Sequence, residues 1–286
     1  MEITMDGKRV KELRLIAQDL RIRGLEMVRE AKSGHIGGAF SLSEILTVLY
    51  FETMRIDPER PDWEDRDRLV MSKGHATVAL YPTLAKRGFF ADERLKLFRK
   101  IEGHMSGHAE MSVPGVDMST GSLGQGFSAA VGMALGAKIS GRSFSVYSIL
   151  GDGEIQEGQI WEAAMFSASI GLDNLIAILD YNKVQLDGTI TEVQNSGPPD
   201  AKFEGFGFNV LSIDGHSIEQ IINAINTAKR VKGKPTIIIA NTIKGKGISF
   251  MEGKSAWHGK VPNDELFEKA FDELRLKRNE LEAIDG

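Results

Sequence analysis

Short apolar segments alternate with helical patterns along this chain of 286 residues, and that alternation limits the possible folds more than any other feature. The apolar segments are rich in β-branched residues and have the length of strands. Strands that alternate with helices predict an α/β fold, in which a mainly parallel sheet carries helices on both faces. The predicted strands are residues 67–72, 144–150, 174–180, 208–213 and 236–241.

The helical patterns around these strands differ in character. Residues 8–31 carry apolar side chains at three- and four-residue spacing, which is typical of an amphipathic helix. Residues 41–44, "SLSE", predict a capping box that begins a helix through residue 51. Residues 122–140 are rich in small side chains, which favours close helix packing, and residues 187–200 predict a polar loop. Further helices are predicted at residues 76–88, 158–171 and 263–283.

We divide the chain into one domain, residues 1–262, and a carboxyl-terminal helical tail, residues 263–286.

Composition narrows the class of protein and its location. A hydrophobic content of 42% and a charged content of 26% are typical of a soluble globular protein. A net charge of −5 and a pI of about 5.8 argue against a nucleic-acid or membrane surface. The absence of cysteine excludes disulfides, thiolate metal sites and thiol nucleophiles. Together with an amino terminus that lacks the apolar run of a signal peptide, it favours the cytoplasm.

An acid and an amide follow two successive predicted strands. Asp152 lies between two glycines just after residues 144–150, and Asn182 comes thirty positions later, just after residues 174–180. If these strands are neighbours, about 4.8 Å apart, both side chains lie in the crevice at the carboxyl edge of the sheet. A carboxylate, an amide oxygen and a main-chain carbonyl form an incomplete oxygen shell that suits Mg²⁺ or Ca²⁺. Gly153 would permit close approach of a phosphate. An Asp-Gly turn with an unrelated loop asparagine is an equally open interpretation of these residues alone.

Histidines occur in an unusual context. Five of the six directly follow a glycine. An imidazole on a glycine turn can lean into a cleft, and histidine is the usual acid–base group near neutral pH. A single histidine of this kind is more often structural, whereas several together predict a polar cleft. The five are His35, His75, His104, His108 and His216, and the sixth is His258.

Nine segments of the chain, in order, resemble segments of the transketolase family. The stretch from residue 151 to residue 182 resembles that family's thiamine diphosphate motif, which begins Gly-Asp-Gly and ends in an asparagine about thirty residues later. The resemblance covers nearly the whole chain and implies the thiamine-diphosphate-binding fold, specifically its diphosphate-binding domain. The segments are "SGHIGGAFSLSEIL", "SKGHATVALY", "GHAE", "TGSLGQGFS", "GDGEIQEGQIWEAA", "DYNKVQLDG", "IDGH", "TIKGKG" and "WHGK".

The resemblance implies a set of metal and cofactor contacts. Asp152, Asn182 and the main-chain carbonyl of Val184 would hold Mg²⁺, which bridges to the diphosphate of thiamine diphosphate. Gly153 would approach the diphosphate, and Lys244 would supply positive charge near it, although alone Lys244 would be interpreted as a solvated loop lysine. The remaining cofactor contacts implied are Gly121, Ser122, Leu123, Asn182, His75 and His258.

Two departures from the family pattern affect the same contacts. The family often has Gly-Pro-Leu where this chain has Gly121-Ser122-Leu123. In some relatives a serine that contacts the cofactor stands where this chain has Gly38. Both departures could alter cofactor contacts without abolishing them.

The resemblance also implies catalytic roles. His35, His75, His108 and His258 would line the substrate channel, where they bind sugar hydroxyls and stabilise charge at the reacting oxygen. Glu157 and Glu162 correspond to acids that lie between subunits and are thought to link two active sites through protons. Glu162 would otherwise be interpreted as an ordinary helix-surface acid. His104 has no clear counterpart in the family, and we interpret both His104 and His216, which lies in the "IDGH" turn, as structural.

The activity implied by the resemblance needs a second polypeptide. It is the transfer of a two-carbon ketol unit from a ketose phosphate to an aldose phosphate, with pentose phosphates as the default substrates. In the family, the glutamate that protonates the aminopyrimidine ring and the residues that grip the sugar phosphate lie on further domains. The forty residues after Lys246 are too few for these domains. We therefore expect the amino-terminal subunit of a split transketolase. A second chain would carry the pyrimidine-binding and carboxyl-terminal domains, in a dimer of heterodimers (a heterotetramer).

Other interpretations stay open at this point. The alpha subunit of a 2-oxo acid dehydrogenase has a similar diphosphate motif, but a polar histidine channel suits sugars better than an aliphatic oxo acid. A deoxyxylulose-phosphate synthase keeps all its domains in one chain. A non-catalytic nucleotide- or metal-binding module is weakened, because no G-x-G-x-x-G follows the first predicted strand.

Overall fold

The predicted parallel sheet is present. A computed structural model describes residues 6–284 of the chain, and within them one sheet contains every named strand. The strands are β1, Arg68–Met71; β2, Val146–Gly151; β3, Leu175–Tyr181; β4, Asn209–Asp214; and β5, Thr236–Asn241. All pairs are parallel, in the order β1-β2-β3-β5-β4. Each strand lies within two residues of its predicted bounds.

Helices cover both faces of this sheet, which confirms the α/β class. They are α1, Gly7–Ala31; α2, Gly37–Phe40; α3, Ser43–Val48; α4, Thr77–Arg87; α5, Gln125–Ile139; α6, Gly158–Ser169; α7, Ile190–Gln194; α8, Pro199–Gly205; α9, Ile218–Arg230; and α10, Asp264–Ala283. Helices α1, α3, α4 and α9 pack on one face, with α10 on α1, and α5, α6 and α8 pack on the other. No helix between residues 6 and 284 is long and apolar enough to cross a membrane.

The central strands are apolar along their whole length because both of their faces are buried. Ile149 and Ile178 belong to the core on the α1 face, whereas Leu150 and Leu179 belong to the core on the α5 face. Successive side chains of a strand point to opposite faces, so a strand between two helical layers needs apolar residues at every position. Each such side chain stabilises the fold by about 1.5–3 kcal/mol when fully buried.

Helix α5 packs closely against the carboxyl end of β1, as its small residues predict. A Cβ on Gly126 would lie 2.6 Å from the Cα of Ser72, so any larger residue would force the helix away. The helix begins at Gln125 rather than at residue 122. Gly124 has a φ of 86°, in the left-handed region, and ends the preceding turn.

The predicted capping box at residues 41–44 is wrong. Helix α3 begins at Ser43 without a side-chain cap, and a π-helical turn at Leu49–Thr53 continues it. The Ser41 hydroxyl donates instead to the buried carboxylate of Asp180, at 2.7 Å. A buried carboxylate that lacks hydrogen-bond donors is costly, so the tertiary contact of Ser41 overrides the local pattern.

The predicted polar loop at residues 187–200 is wrong in part, because it contains helix α7 and the first two residues of α8. Helix α7 begins at a capping box between Thr189 and Glu192, and α8 begins with a proline in its first turn. The polar residues that indicated a loop are therefore helix-capping residues in part. Phe203 of α8 is fully buried in the core on the α5 face.

Helix α10 packs against α1 through its apolar side. Phe267, Phe271 and Leu274 are buried, and the Gln18 amide of α1 donates to the carbonyl of Leu274 at 2.8 Å. Residues 1–5 of the predicted domain and residues 285–286 of the predicted tail lie outside the described residues.

Candidate active site

Asp152 and Asn182 follow neighbouring strands at the carboxyl edge of the sheet. In the parallel pair β2–β3, Gly151 is opposite Asp180, so the residues beyond them leave the sheet together. The Asp152 carboxylate accepts a hydrogen bond from the main-chain nitrogen of Lys183, the residue after Asn182. The thirty-residue spacing therefore does bring the acid and the amide segment together, as predicted.

The oxygen atoms predicted to hold a metal line one cavity. Asp152, Asn182 and Val184 all border a cavity of about 430 Å³. The Asn182 amide nitrogen donates to Asp180 at 3.1 Å, which orients Oδ1 toward the Val184 segment, whose nitrogen donates to it at 3.1 Å. Between residues 6 and 284, no group of three or more His, Cys, Asp or Glu side chains is placed to hold a metal. A metal here would therefore use amide and carbonyl oxygens beside one carboxylate, and that set fits a hard ion such as Mg²⁺.

The Asp152 carboxylate lies in surroundings that disfavour its negative charge. Burial, and then the neighbouring carboxylate of Asp180, raise the pKa of Asp152 to about 6, against a smaller opposing effect of Lys73. A cation bound beside Asp152 would favour the ionised carboxylate. The raised pKa of Asp152 and the oxygen atoms around it thus both favour a bound cation.

Lys244 lies in the wall of the same cavity. Its ammonium donates to the Val184 carbonyl at 2.9 Å and lies 2.9 Å from Nδ1 of His258. Burial, and then the positive charge of Lys73, lower the pKa of Lys244 to about 8. The solvated loop lysine suggested by the residue alone is therefore wrong. The ammonium lies beside the Val184 carbonyl, one of the three oxygen atoms expected to hold the metal.

Sequence reasoning missed a buried ion pair beneath the cavity. Lys73 is 2% exposed and its ammonium contacts the carboxylate of Asp180, which is 0% exposed. Ser41 and Thr242 also donate to Asp180, and Lys73 donates to the Gly38 carbonyl at 2.8 Å. Burial by itself would raise the pKa of Asp180, but Lys73 and the hydroxyl donors hold it below its ordinary value. A charged residue at the end of the apolar strand β3 is the signal that could have indicated this pair.

Sequence reasoning also missed Glu154. This buried carboxylate accepts hydrogen bonds from the main-chain nitrogens of Gly124 and Gly151, each at 2.9 Å, and from the Ser72 hydroxyl. It thereby ties the turns that follow β1 and β2 to the start of α5. Burial raises the pKa of Glu154, although its donors oppose that effect.

Four histidines converge on the cavity, although they come from distant segments. Ring centroids are 5.4 Å apart for His35 and His75, 5.6 Å for His35 and His258, and 5.1 Å for His75 and His258. His108 lies 6.0 Å from His35. All four rings line the cavity, so the polar cleft predicted from the glycine–histidine pattern is present.

The other two histidines lie elsewhere. His104 is exposed and outside this cavity. His216 lies 3.0 Å from Glu44, and its Nε2 accepts a hydrogen bond from the main-chain nitrogen of Ile243 at 2.9 Å. His216 thus contacts the segment that leads to Lys244 rather than the cavity.

The remaining predicted residues divide into two groups. Gly121, Leu123, Gly153 and Glu157 line the cavity. Ser122 is exposed and Glu162 lies on the exposed side of α6, and the structure brings neither into the cavity wall.

The histidine cluster is held in its neutral form. Burial, and then the charge of Arg99, lower the pKa of His35 to about 4, while burial and Lys244 lower the pKa of His258 to about 3. Burial and Lys73 also lower the pKa of His75. At neutral pH these rings therefore offer one donor and one acceptor nitrogen each, which suits hydroxyl groups.

We expect this cluster to make the stability of the chain pH-dependent. The folded pKa values of His35 and His258 lie below the ordinary 6.5, so the unfolded chain binds protons more readily between about pH 6.5 and pH 4. The free energy of unfolding should fall by about 1–3 kcal/mol as pH decreases through that window. Urea denaturation at a series of pH values measures it. The double variant His35→Asn/His258→Asn should flatten the profile, whereas His104→Asn, on an exposed site, should leave it unchanged. An equally steep profile in the double variant would contradict the expectation.

The fold and the site define a class of protein: an α/β protein with a polar cavity beyond its strand ends, lined by histidines and by carboxylate and amide oxygens. The family model described as "Transketolase, thiamine diphosphate binding domain" matches residues 13–278. The chain belongs to the transketolase family, and it comprises the thiamine diphosphate binding domain of that family. It is thus a transferase by family, and the family resemblance of its nine segments is confirmed.

Two curated relatives have about the length of this chain. The 6-deoxy-6-sulfo-D-fructose transketolase subunit SqwG of Clostridium sp. (strain MSTE9) is 48% identical over 259 residues, which cover 90% of this chain and 94% of the relative. An apulose-4-phosphate transketolase subunit of Phocaeicola vulgatus is 42% identical over 96% of this chain and 97% of the relative.

Relatives named transketolase without a subunit designation are about twice as long. The transketolase of Homo sapiens is 39% identical over 94% of this chain, which corresponds to 43% of that protein. The crystal structure of transketolase from Campylobacter jejuni matches with a TM-score of 0.84 and 33% identity over 95% of this chain. This chain spans 48% of that solved chain. Among the alternatives left open by the sequence, the comparisons select the transketolase family.

Proposed function

We propose that this chain is the diphosphate-binding, amino-terminal subunit of a two-chain transketolase. With thiamine diphosphate and Mg²⁺, it transfers a two-carbon ketol unit from a ketose phosphate to an aldose phosphate, in the cytoplasm. A second subunit supplies the pyrimidine-binding and carboxyl-terminal domains, and the active assembly is a dimer of heterodimers. Pentose phosphates are the default substrates within this proposal.

One observation carries the proposal. Relatives that match this chain over more than nine-tenths of their own length are themselves named transketolase subunits, whereas the single-chain transketolases extend about as far again. This chain is also more similar to those subunits, at 48% and 42% identity, than to the transketolase of Homo sapiens, at 39%, which supports the subunit role.

The cavity supports the chemistry through residues of this chain. Bound thiamine diphosphate supplies the electron sink for a two-carbon fragment. Asp152, Asn182 and the Val184 carbonyl would hold the divalent cation, and Lys244 would add positive charge beside the diphosphate. These assignments agree with the burial and donor atoms of the site, and the Asp152 variant discussed below tests them.

The histidines orient the sugar in this proposal. His108 is exposed and its ring lies 6.0 Å from that of His35, where neutral imidazoles donate to and accept from sugar hydroxyls. His75 and His258 are less exposed than His108, and a neutral ring nitrogen there can take the proton of a hydroxyl or return it to an oxygen. The cavity reaches solvent at the exposed ring of His108, so exclusion of water depends on the partner.

The exposed face of α6 is the surface proposed for contact with another subunit. Met165 and Phe166 are 49% and 48% exposed, and they lie one turn from Glu162, which the resemblance places between subunits. Ile139, at the end of the neighbouring helix α5, is also exposed. Large apolar side chains grouped on a helical face are typical of a surface that a partner covers.

The proposed function is tested by reconstitution with the second chain. The mixture should catalyse ketol transfer, whereas this chain alone should show less than about a thousandth of that rate and weak thiamine diphosphate affinity by calorimetry. Full activity of the isolated chain would overturn the split-subunit assignment.

We expect the Phe166→Glu variant to weaken assembly by tenfold or more, because a buried unpaired charge at an interface costs several kcal/mol. Size-exclusion chromatography with light scattering measures assembly. The control is Leu276→Glu on α10, where the native leucine is 62% exposed on a different face. Equal assembly by the two variants would remove the α6 face from the interface.

A further inference from the structure

An arginine stands at the outer edge of the histidine cluster. The Arg99 guanidinium donates to the Ser33 hydroxyl at 2.6 Å and lies 3.4 Å from Nδ1 of His35. It lines a second cavity of about 480 Å³, and His108 lines both cavities. We call this second cavity the vestibule. Arg99 therefore lies where a sugar whose reacting end is at His75 and His258 would extend.

The backbone holds Arg99 in an uncommon conformation. Its φ is 58°, in the left-handed region that non-glycine residues seldom adopt, and its nitrogen donates to the Met105 carbonyl at 2.7 Å. Gly107 leaves room for the side chain, because a Cβ there would lie 2.3 Å from two guanidinium nitrogens. Two local features thus fix one guanidinium at the vestibule, and backbone strain of this kind commonly marks a functional site.

No residue that the structure describes neutralises the charge of Arg99. Between residues 6 and 284, no carboxylate lies within ion-pair distance of it, although Glu110 lines the same vestibule. The other cation of the vestibule, Lys100, pairs with Glu30 at 3.0 Å. Arg99 uses two of its five N–H groups in the contacts above, so the others are available to a ligand.

The histidines cannot supply this positive charge. Burial and Arg99 itself lower the pKa of His108 as well as that of His35, and both rings are suited to hydroxyls rather than to an anion. A charged, forked donor is the group that best matches a tetrahedral oxyanion.

We propose that Arg99 binds the anionic end group, phosphate or sulfonate, of the sugar substrate. The inference rests on the proposed function. It adds a specificity residue of this chain to the substrate-binding residues expected on the partner. Gly107 serves the same role indirectly, because its missing side chain leaves space for the guanidinium. Phosphate and sulfonate share three terminal oxygens and a negative charge, and the experiment separates them.

The test uses the reconstituted two-chain enzyme with glycolaldehyde as a neutral acceptor. Donors are fructose 6-phosphate, 6-deoxy-6-sulfo-D-fructose, and the neutral ketoses fructose and erythrulose. Arg99→Met should lower kcat/KM for the anionic donor that the wild type prefers by about 10- to 100-fold more than for the neutral donors. The preferred donor identifies phosphate or sulfonate as the group bound.

Three further variants separate anion binding from a structural role. Arg99→Lys keeps the positive charge but lacks the paired N–H donors of a guanidinium. It should show an intermediate loss of kcat/KM that is selective for the anionic donors. Gly107→Ala should reproduce the selective loss with Arg99 intact. Lys96→Met, which removes an exposed cation three residues earlier, should alter no donor's kcat/KM.

Two outcomes would overturn the inference, and they are distinguishable. Equal losses on anionic and neutral donors in Arg99→Met and Gly107→Ala would reject anion binding by Arg99 while leaving the proposed function intact. No ketol transfer by the wild-type pair from any donor would reject the proposed function, and the inference with it.

Discussion

The Asp152→Ala variant, assembled with its partner, should lose ketol transfer by about a thousandfold or more. Asp152 is the only carboxylate among the three predicted metal ligands, so its removal leaves two neutral oxygens that bind a divalent cation weakly. Cation-assisted binding of a diphosphate contributes several kcal/mol, which corresponds to a change of this size. Calorimetry with thiamine diphosphate and Mg²⁺ should show the matching loss of cofactor affinity.

The free energy of unfolding shows whether the loss of activity comes from the missing metal ligand or from loss of the folded structure. The Asp152 carboxylate is buried beside Asp180, where its charge is unfavourable without a bound cation. Without a bound cation, the free energy of unfolding of the Asp152→Asn variant should therefore lie within about 1 kcal/mol of the wild-type value or above it. The amide keeps one hydrogen-bond acceptor and carries no charge. The control Asp187→Ala removes an exposed acid from the loop after Asn182 and should alter neither activity nor cofactor affinity.

A different result would contradict the site assignment. If Asp152→Ala retained cofactor affinity while Asp187→Ala lost it, the acid at the carboxyl end of β2 would not be the metal ligand. The predicted role of Asn182 as a metal ligand would then fail as well. Asn182 is expected to share the metal with Asp152, whose carboxylate is hydrogen-bonded to the nitrogen of the next residue, Lys183.

The pairing of Asp152 with the Asn182 segment could be predicted because it depends on regular geometry. Parallel strands joined by one helix place their carboxyl ends on a shared edge, so a spacing in the sequence becomes a proximity in space. The glycine–histidine pattern was informative for a related reason. The turns of His35 and His75 follow the ends of α1 and β1, and these ends meet around the cleft, whereas His104 and His216 share the pattern but lie elsewhere.

The contacts around Asp180 could not be predicted in the same way. Its partners Lys73, Ser41 and Thr242 come from three separate segments, and no periodicity relates them. Ser41 shows why local reasoning failed there. Its "SLSE" context matches a capping box, yet the hydroxyl donates to Asp180, and Glu44 contacts the buried guanidinium of Arg21 instead. Contacts with buried charged groups therefore determine where both side chains lie.

Arg99 illustrates another limit of the sequence. Nothing in the run "LFRKIEG" distinguishes it from its neighbour Lys100, because both are basic residues of an exposed loop. The difference arises from a left-handed backbone and from Gly107, eight residues later. Such positions become visible only when the fold places the two residues in contact.

The second large effect is expected at the buried ion pair. The Asp180→Asn variant should destabilise the chain by about 3–5 kcal/mol, because it keeps the volume of the side chain but leaves the buried Lys73 ammonium without a carboxylate in contact. The double variant Lys73→Met/Asp180→Asn removes the unpaired charge and should recover most of that loss. Urea denaturation measures all three free energies of unfolding. The control Glu280→Gln breaks an exposed pair with Lys277 and should change the free energy by less than about 1 kcal/mol. Equal destabilisation in the single and double variants would show that the energy lies in the hydroxyl donors to Asp180 rather than in its charge pair.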